Sequence, residues 1–301
     1  MKFHLQTFIK GMAMGAADVV PGVSGGTIAF ITGIYERLLN ALRSINLHRL
    51  TQWKNEGFNA VWKTIDGTFL VALFSGVFVS LLSLAKVLKW TMSHYPQLLW
   101  SFFFGLIIAS AVFIIKQVKW SPSSILFLLL GCTTALGITF ISPGQAPDSY
   151  PMVFLSGFIA ICAMILPGIS GSFILLLMGM YANILGAVND LNIPLLLVFM
   201  GGCILGLLSF SHLLSWTFKH YKNATLSLLS GFMLGSLNKV WPWQNVTALR
   251  ENSHGELVPW MYENCLPAQY ENPPLLILCL GLFAIGLGIV FILERFSPTH
   301  E

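Results

Sequence analysis

The chain has 301 residues, 55% of them hydrophobic and only 9% charged, with a mean hydropathy of +0.76. A soluble domain carries about 25% charged residues, so 16 basic and 12 acidic side chains cannot dress a water-facing surface of this length. A water-soluble globule is excluded, a separate soluble domain has no room, and a net charge of +4 without a basic run argues against nucleic-acid binding.

Met1 to Lys10 lacks the charge, apolar run and cleavage site of a signal peptide, so the N-terminus is expected to be retained. A first apolar stretch, between Lys10 and Glu36, carries one charge, Asp18, and is broken at Pro21-Gly22-Val23-Ser24-Gly25-Gly26, with its hairpin placed at about 8–36. A basic loop with Arg37, Arg43, Arg49, Lys54 and Lys63 follows. Membrane helices are predicted at about 67–89, 98–116 and 122–142. Ser149 to Asn189 is a run of 41 residues without a charge, broken at Pro167-Gly168-Ile169-Ser170-Gly171, with its hairpin placed at about 152–186. Further membrane helices are predicted at about 193–217, 224–239 and 273–294, with a Glu-rich polar loop over 240–271. No strand-type alternation dominates, so the spans are read as helices. Of the five cysteines only Cys265 lies in a polar loop, and none has metal-ligand spacing; neither a disulfide framework nor a metal site is expected.

The two broken segments match at an offset of 146, pairing Pro21, Gly22, Ser24, Gly25 and Tyr35 with Pro167, Gly168, Ser170, Gly171 and Tyr181. The match resumes at an offset of 126, where Trp90-Thr91 and His94-Tyr95 meet Trp216-Thr217 and His220-Tyr221. The chain is therefore read as two repeats, 1–145 and 146–301, each a broken segment followed by three spans. If each broken segment is a re-entrant hairpin, the halves are inverted and twelve of the 16 Lys and Arg residues fall on one side. If each crosses fully, the halves are parallel and the best split is nine against seven. Cytoplasmic loops are enriched in these residues, which favours the inverted reading, with both termini cytoplasmic and 240–271 outside. The fold class expected is an all-α polytopic membrane protein of two inverted repeats, each a re-entrant helical hairpin plus three transmembrane helices.

Unwound backbone at membrane depth is tolerated only where it is buried or lines a cavity, and inverted repeats with broken helices place a site at their interface. Pro21 and Pro167 would stop the incoming half-helix, while Gly22, Gly25 and Gly26, with Gly168 and Gly171 in the second copy, allow a tight turn. Ser24, Thr27, Ser170 and Ser172 could cap the returning half-helix, whose free N–H groups favour an anion. The bland alternative is a packed, kinked helix. Asp18 has Met164 as its repeat partner, so it is an asymmetric intramembrane acid and a candidate for coupling to H+ or Na+; its own bland reading is a cap on free N–H groups. Arg37 is an interfacial anchor or a guide for a phosphate. His94 and His220 fit an aromatic interface belt. A rival reading takes Gly22-Val23-Ser24-Gly25 and Gly168-Ile169-Ser170-Gly171 as nucleophile motifs of a rhomboid-like intramembrane serine protease, with His212, His94 or His220 as base. A duplicated motif without a histidine at hairpin depth argues against it, and no enzyme is expected. A third reading is a transporter or channel for a small soluble anion.

The run Met14 to Thr27, followed by Gly33-Ile34-Tyr35-Glu36, resembles the signature of the polyprenyl-phosphate transporter family, formerly a bacterial and archaeal membrane family of unknown function. Pro167 to Ser172 and Gly179-Met180-Tyr181 resemble the family's second motif. The resemblance covers nearly the whole chain apart from about 239–272. It implies recycling of undecaprenyl phosphate, the carrier of cell-wall and glycan synthesis, to the inner leaflet of the bacterial cytoplasmic membrane. The implied partners are that lipid and the membrane itself; no cofactor is implied.

Overall fold

The computed structural model describes residues 2–20, 23–45, 53–141, 144, 147, 149–251 and 257–296. The first half contains α1 (Lys2–Val19), α2 (Gly25–Ile31), α3 (Tyr35–Ser44), α4 (Phe58–Thr64), α5 (Gly67–His94), α6 (Pro96–Ile115) and α7 (Pro122–Thr139). The second contains α8 (Tyr150–Ile165), α9 (Gly171–Leu177), α10 (Tyr181–Asn189), α11 (Ile193–His220), α12 (Lys222–Ser236), strands β1 (Gln244–Glu251) and β2 (Leu257–Asn264), and α13 (Leu276–Phe296). Among the described residues α5, α6, α7 and α11 are long and apolar enough to cross a membrane, and α9 with α10 makes a fifth apolar unit bent by 113°. Prolines open α6 and α7, where a missing N–H costs nothing. The exposed faces of α5, α7, α11 and α13 carry large apolar residues such as Phe74, Leu126, Leu197 and Leu280, as a lipid-facing surface requires.

Element bounds recur along the chain. Adding 146 to the limits of α2 gives those of α9, and adding 126 to those of α5 gives those of α11. The turns after α2 and α9 each use a glycine at φ +71°, Gly33 and Gly179. Helix α1 begins earlier than the expected hairpin, α5 runs on to His94, and α12 stops at Ser236. Packing crosses the midpoint of the chain. Helix α1 pairs with α5 and α8 with α11, but α6 pairs with α13 and α7 with α12, so the last helices of the two halves are exchanged.

Each of these four pairs closes on glycine. A Cβ at Gly11 or Gly76 would strike the carbonyls of Leu73 and Phe8; Gly157 and Gly202, Gly105 and Gly286, and Gly131 and Gly231 stand in the same relation to their partner helices. Close backbone approach is how helices associate in lipid, where burial of apolar surface gives little drive. Gly231→Leu must part α12 from α7, and we expect a clear loss of thermal stability in detergent, since overpacking alone costs about 1–3 kcal/mol. Gly137→Leu on α7, where nothing lies within 4 Å of the added Cβ, should melt as the parent does.

The expected polar loop over 240–271 instead contains an antiparallel hairpin, Gln244 pairing with Asn264 and Glu251 with Leu257, with a register shift near Ala248. Two strands alone are marginal in water. This ribbon is docked by side chains: Gln244 Nε2 donates to Lys239 O (3.1 Å) and Asn264 Nδ2 to Asn238 O (2.8 Å). Such docking is invisible to periodicity.

Candidate functional site

The first break follows α1. Pro21 and Gly22 lie outside the described residues. Helix resumes at Gly25 with Ser24 as its N-cap in extended backbone, the Gly26 N–H donating to Ser24 Oγ at 3.0 Å. The Gly25 N–H donates to Asp18 Oδ1 at 2.7 Å. A Cβ on Gly25 would lie 2.5 Å from the Asp18 carboxylate, so glycine is what lets the acid sit there. The amides expected to be free are thus held by Asp18 and Ser24 in this conformation.

The second break follows α8. Leu166 is extended, Gly168 turns the chain at φ +85°, and Ser170 precedes α9 without a side-chain cap bond, its hydroxyl instead 2.8 Å from Ser172 Oγ. The two breaks meet. Ser24 Oγ lies 3.0 Å from Met164 O and 3.1 Å from Leu166 O as donor, and Tyr35 OH donates to Ile165 O at 3.1 Å. The last carbonyls of α8, which have no partner within their helix, are therefore taken by hydroxyls of the other hairpin. In return the Gly168 N–H donates to Thr27 Oγ1 at 3.1 Å. Ser24 and Thr27 are 1% and 0% exposed, and a Cβ on Gly26 would come within 2.5 Å of Ile165 O. Ser24, Gly26, Thr27 and Gly168 form the junction, with Gly25 and Asp18 directly behind it and buried Pro167 beside it. Gly171 packs on Ala160 of its own hairpin.

Other expected residues stand apart. Arg37 donates to Asp66 through Nε (2.6 Å) and Nη2 (3.0 Å), and its guanidinium lies 4.2 Å from the Phe69 ring centre. His94 stacks on Trp90 and His220 lies tilted against Trp216, each tryptophan on the same helix, with Nδ1 2.9 Å from its carbonyl. Exposed His212 is 2.7 Å from Leu208 O. Among the described residues neither Ser24 nor Ser170 is bonded to a histidine, and no group of acids, cysteines and histidines forms a metal site.

Two cavities flank the junction. One, about 290 Å³, is lined by Glu36, Asn40, Arg43, Ser215, Phe218, Lys219 and Lys222. Arg43 Nη1 donates to Ser215 Oγ (3.2 Å), which donates to Asn40 Oδ1 (3.0 Å), while Glu36 offsets only Lys222, at 3.5 Å. Phe218 closes its inner wall with Phe30 and Tyr35, ring centres 6.3 and 5.8 Å away, and Tyr35 is the residue that reaches Ile165 O. The other cavity, about 20 Å³, is lined by Thr139, Gly168, Ser170, Phe173, Ser236 and Lys239. Lys222 is the first residue of α12 and Ser236 the last, so the cavities lie at its two ends, roughly 21 Å apart at ~1.5 Å per residue. The sequence registered Arg43, Lys219 and Lys222 only as topological charges; no local signal joins α3 to the α11–α12 corner. Lys10 was likewise unassigned, yet its Nζ donates to Thr32 O (2.6 Å) at the C-terminal end of α2, where a cation suits the helix dipole.

Long apolar helices, with two broken ones meeting inside, define a multi-pass helical membrane protein. Within that class the chain belongs to the undecaprenyl phosphate translocase-like (VCA0040-like) family, whose model matches residues 14–258. A relative in Vibrio cholerae (serotype O1, strain El Tor Inaba N16961), named polyprenyl-phosphate transporter, is 49% identical over 98% of this chain and 97% of its own length. A Staphylococcus aureus (strain NCTC 8325) protein of the same name is 29% identical over 80% of this chain and 87% of its own. No solved structure matches this chain.

Proposed function

We propose that the protein carries undecaprenyl (polyprenyl) phosphate across the cytoplasmic membrane and returns this lipid carrier to the inner leaflet, by alternating access to a central phosphate site. The names of both relatives support the substrate. The observation that carries the mechanism is the junction itself: Ser24, Thr27 and Gly168 place two hydroxyls and a turn of unwound backbone in the protein interior. The lipid tail can remain in hydrocarbon while the phosphate, at about −1.5 to −2 charge, needs a polar path. Hydrogen bonds to a charged group are worth roughly 1.5–3 kcal/mol each, and several offset much of its desolvation. The Gly25 and Gly26 N–H groups are now held by Asp18 and Ser24, the Gly168 N–H by Thr27, and the Ser24 hydroxyl by carbonyls of the facing hairpin, so a headgroup enters by exchange as the hairpins separate.

Inverted repeats with re-entrant hairpins are supported by contacts between loop ends. Arg43 meets Ser215, Lys119 N–H donates to Asn223 Oδ1 (3.2 Å), Gln97 Nε2 to Pro273 O (3.1 Å) and Asn238 Nδ2 to Thr139 Oγ1 (2.8 Å). In the re-entrant reading each pair lies on one side of the membrane; in the fully crossing reading each would be split between opposite sides. On this topology the Arg43–Lys219–Lys222 cleft faces the cytoplasm and the Lys239 cavity faces outward. Of the two cavities beside the junction the cytoplasmic one, about 290 Å³, is roomier than the outer one, about 20 Å³, and a separate outward cleft of about 560 Å³ lies between Tyr95, Gln97, Gln244 and Tyr270. Asp18, the acid at the junction, couples movement to an H+ or Na+ gradient.

Liposomes holding the purified chain and polyprenyl phosphate in one leaflet test this directly. The protein should speed exposure of the phosphate in the other leaflet and leave inorganic phosphate flux unchanged. Flux of inorganic phosphate without lipid movement would instead assign the junction to a small soluble anion.

A further inference from the structure

Lys239 follows α12 on the face assigned as outer, where few lysines and arginines lie. It is half-buried rather than extended to water. Its Nζ sits 4.9 Å from the ring centre of Phe173, on α9 just past the second break, and 5.7 Å from that of Tyr262 on β2. Among the described residues no carboxylate pairs with it. A snorkelling interfacial lysine sends its ammonium to water; this one turns back over a hairpin ring, beside the Ser170 hydroxyl and the Gly168 turn that line the same cavity. Its position in the first half, at the 126-residue offset, is Phe113, so the cation is not a by-product of duplication.

The backbone that carries Lys239 is clamped. Gln244 Nε2 holds Lys239 O and bonds Asn264 Oδ1 at 2.9 Å, while Asn264 Nδ2 holds both the carbonyl (2.8 Å) and the side-chain oxygen (2.9 Å) of Asn238. Asn238 in turn donates to Thr139 of α7 at 2.8 Å. The β-hairpin is thus fastened to the turn that aims the lysine.

We propose that Lys239, with Ser170 and Ser172, forms the outward half-site that receives the phosphomonoester head of the lipid, and that the β1–β2 hairpin is the positioning clamp for this lysine. The inference rests on the transport reading above and adds to it the residue that captures the headgroup. Aromatic faces hold an ammonium only weakly, so a phosphate in the same cavity displaces them. The present cavity has room for about one water. Binding therefore requires the ammonium and the Phe173 ring to part, which couples capture at Lys239 to movement of the second hairpin.

The test is binding of polyprenyl phosphate, and of the corresponding phosphate-free prenol, to the purified full chain in lipid nanodiscs. Lys239→Gln should weaken polyprenyl phosphate binding by about tenfold or more, the loss of one bond to a charged group, and leave prenol binding unchanged. Lys239→Arg should restore most of it, and Gln244→Ala with Asn264→Ala should give an intermediate loss. Matching thermal unfolding of Lys239→Gln and Lys239→Arg would show that affinity, not folding, is being read. If the parent binds the lipid phosphate and Lys239→Gln binds it equally well, the half-site is wrong while the transport reading stands. If the parent prefers prenol or binds neither, the transport reading falls and takes the half-site with it. Displacement by equimolar inorganic phosphate would make the ligand a free phosphate and overturn the lipid assignment.

Discussion

Thr27→Val should cut lipid transport by about tenfold or more in a chain that still folds. Valine has nearly the shape of threonine, and Thr27 is fully buried, so packing is conserved. What is lost is the acceptor for the Gly168 N–H. A buried donor left unpaired costs about 1–3 kcal/mol, and each 1.4 kcal/mol is a factor of about ten in an equilibrium. That cost falls only on conformations in which the two breaks touch, so the balance between closed and open junction shifts by this factor. Thr27→Ser keeps the oxygen and should transport nearly normally. The initial rate in proteoliposomes is the readout. An unchanged rate for Thr27→Val would place the junction off the transport path.

Asp18→Asn is the second large effect. Asparagine can still present an oxygen to the Gly25 N–H, which lies 2.7 Å from Asp18 Oδ1, so the local turn is preserved. The charge and the ability to take up and release a proton or bind sodium are removed. Gradient-driven accumulation of the lipid should fall at least about tenfold, the usual scale for losing one charge-assisted contact, while exchange without a gradient continues. Intact gradient-driven transport in Asp18→Asn would end the coupling proposal and leave Asp18 as a cap on α2.

The broken segments were legible because proline and glycine punctuate an otherwise uncharged run, and Ser24 and Thr27 were legible because of their place after that punctuation. Their partners were not. That Ser24 would meet Met164 and Leu166, and Thr27 the Gly168 N–H, depends on how two hairpins are set against each other, and offsets of 146 and 126 show that there are two without showing how they dock. The exchange of last helices, α6 with α13 and α7 with α12, is hidden for the same reason: apolar spans of similar composition offer no label for their neighbours. Charges misled in one respect. Counting Arg43, Lys219, Lys222 and Lys239 gives an expected side for each loop, but counting cannot tell an anchor from a cavity wall. The same limit applies to Arg37, whose bond to Asp66 ties α3 to the start of α5.

The most direct measurement is labelling of Ser24→Cys and Ser170→Cys by a membrane-impermeant thiol reagent, in a chain whose five native cysteines are replaced. Ser24→Cys should react faster from the cytoplasmic side and Ser170→Cys faster from the outer side. Polyprenyl phosphate, but not prenol, should slow both reactions. Faster reaction of both positions from the same side, or rates indifferent to the lipid phosphate, would contradict the account.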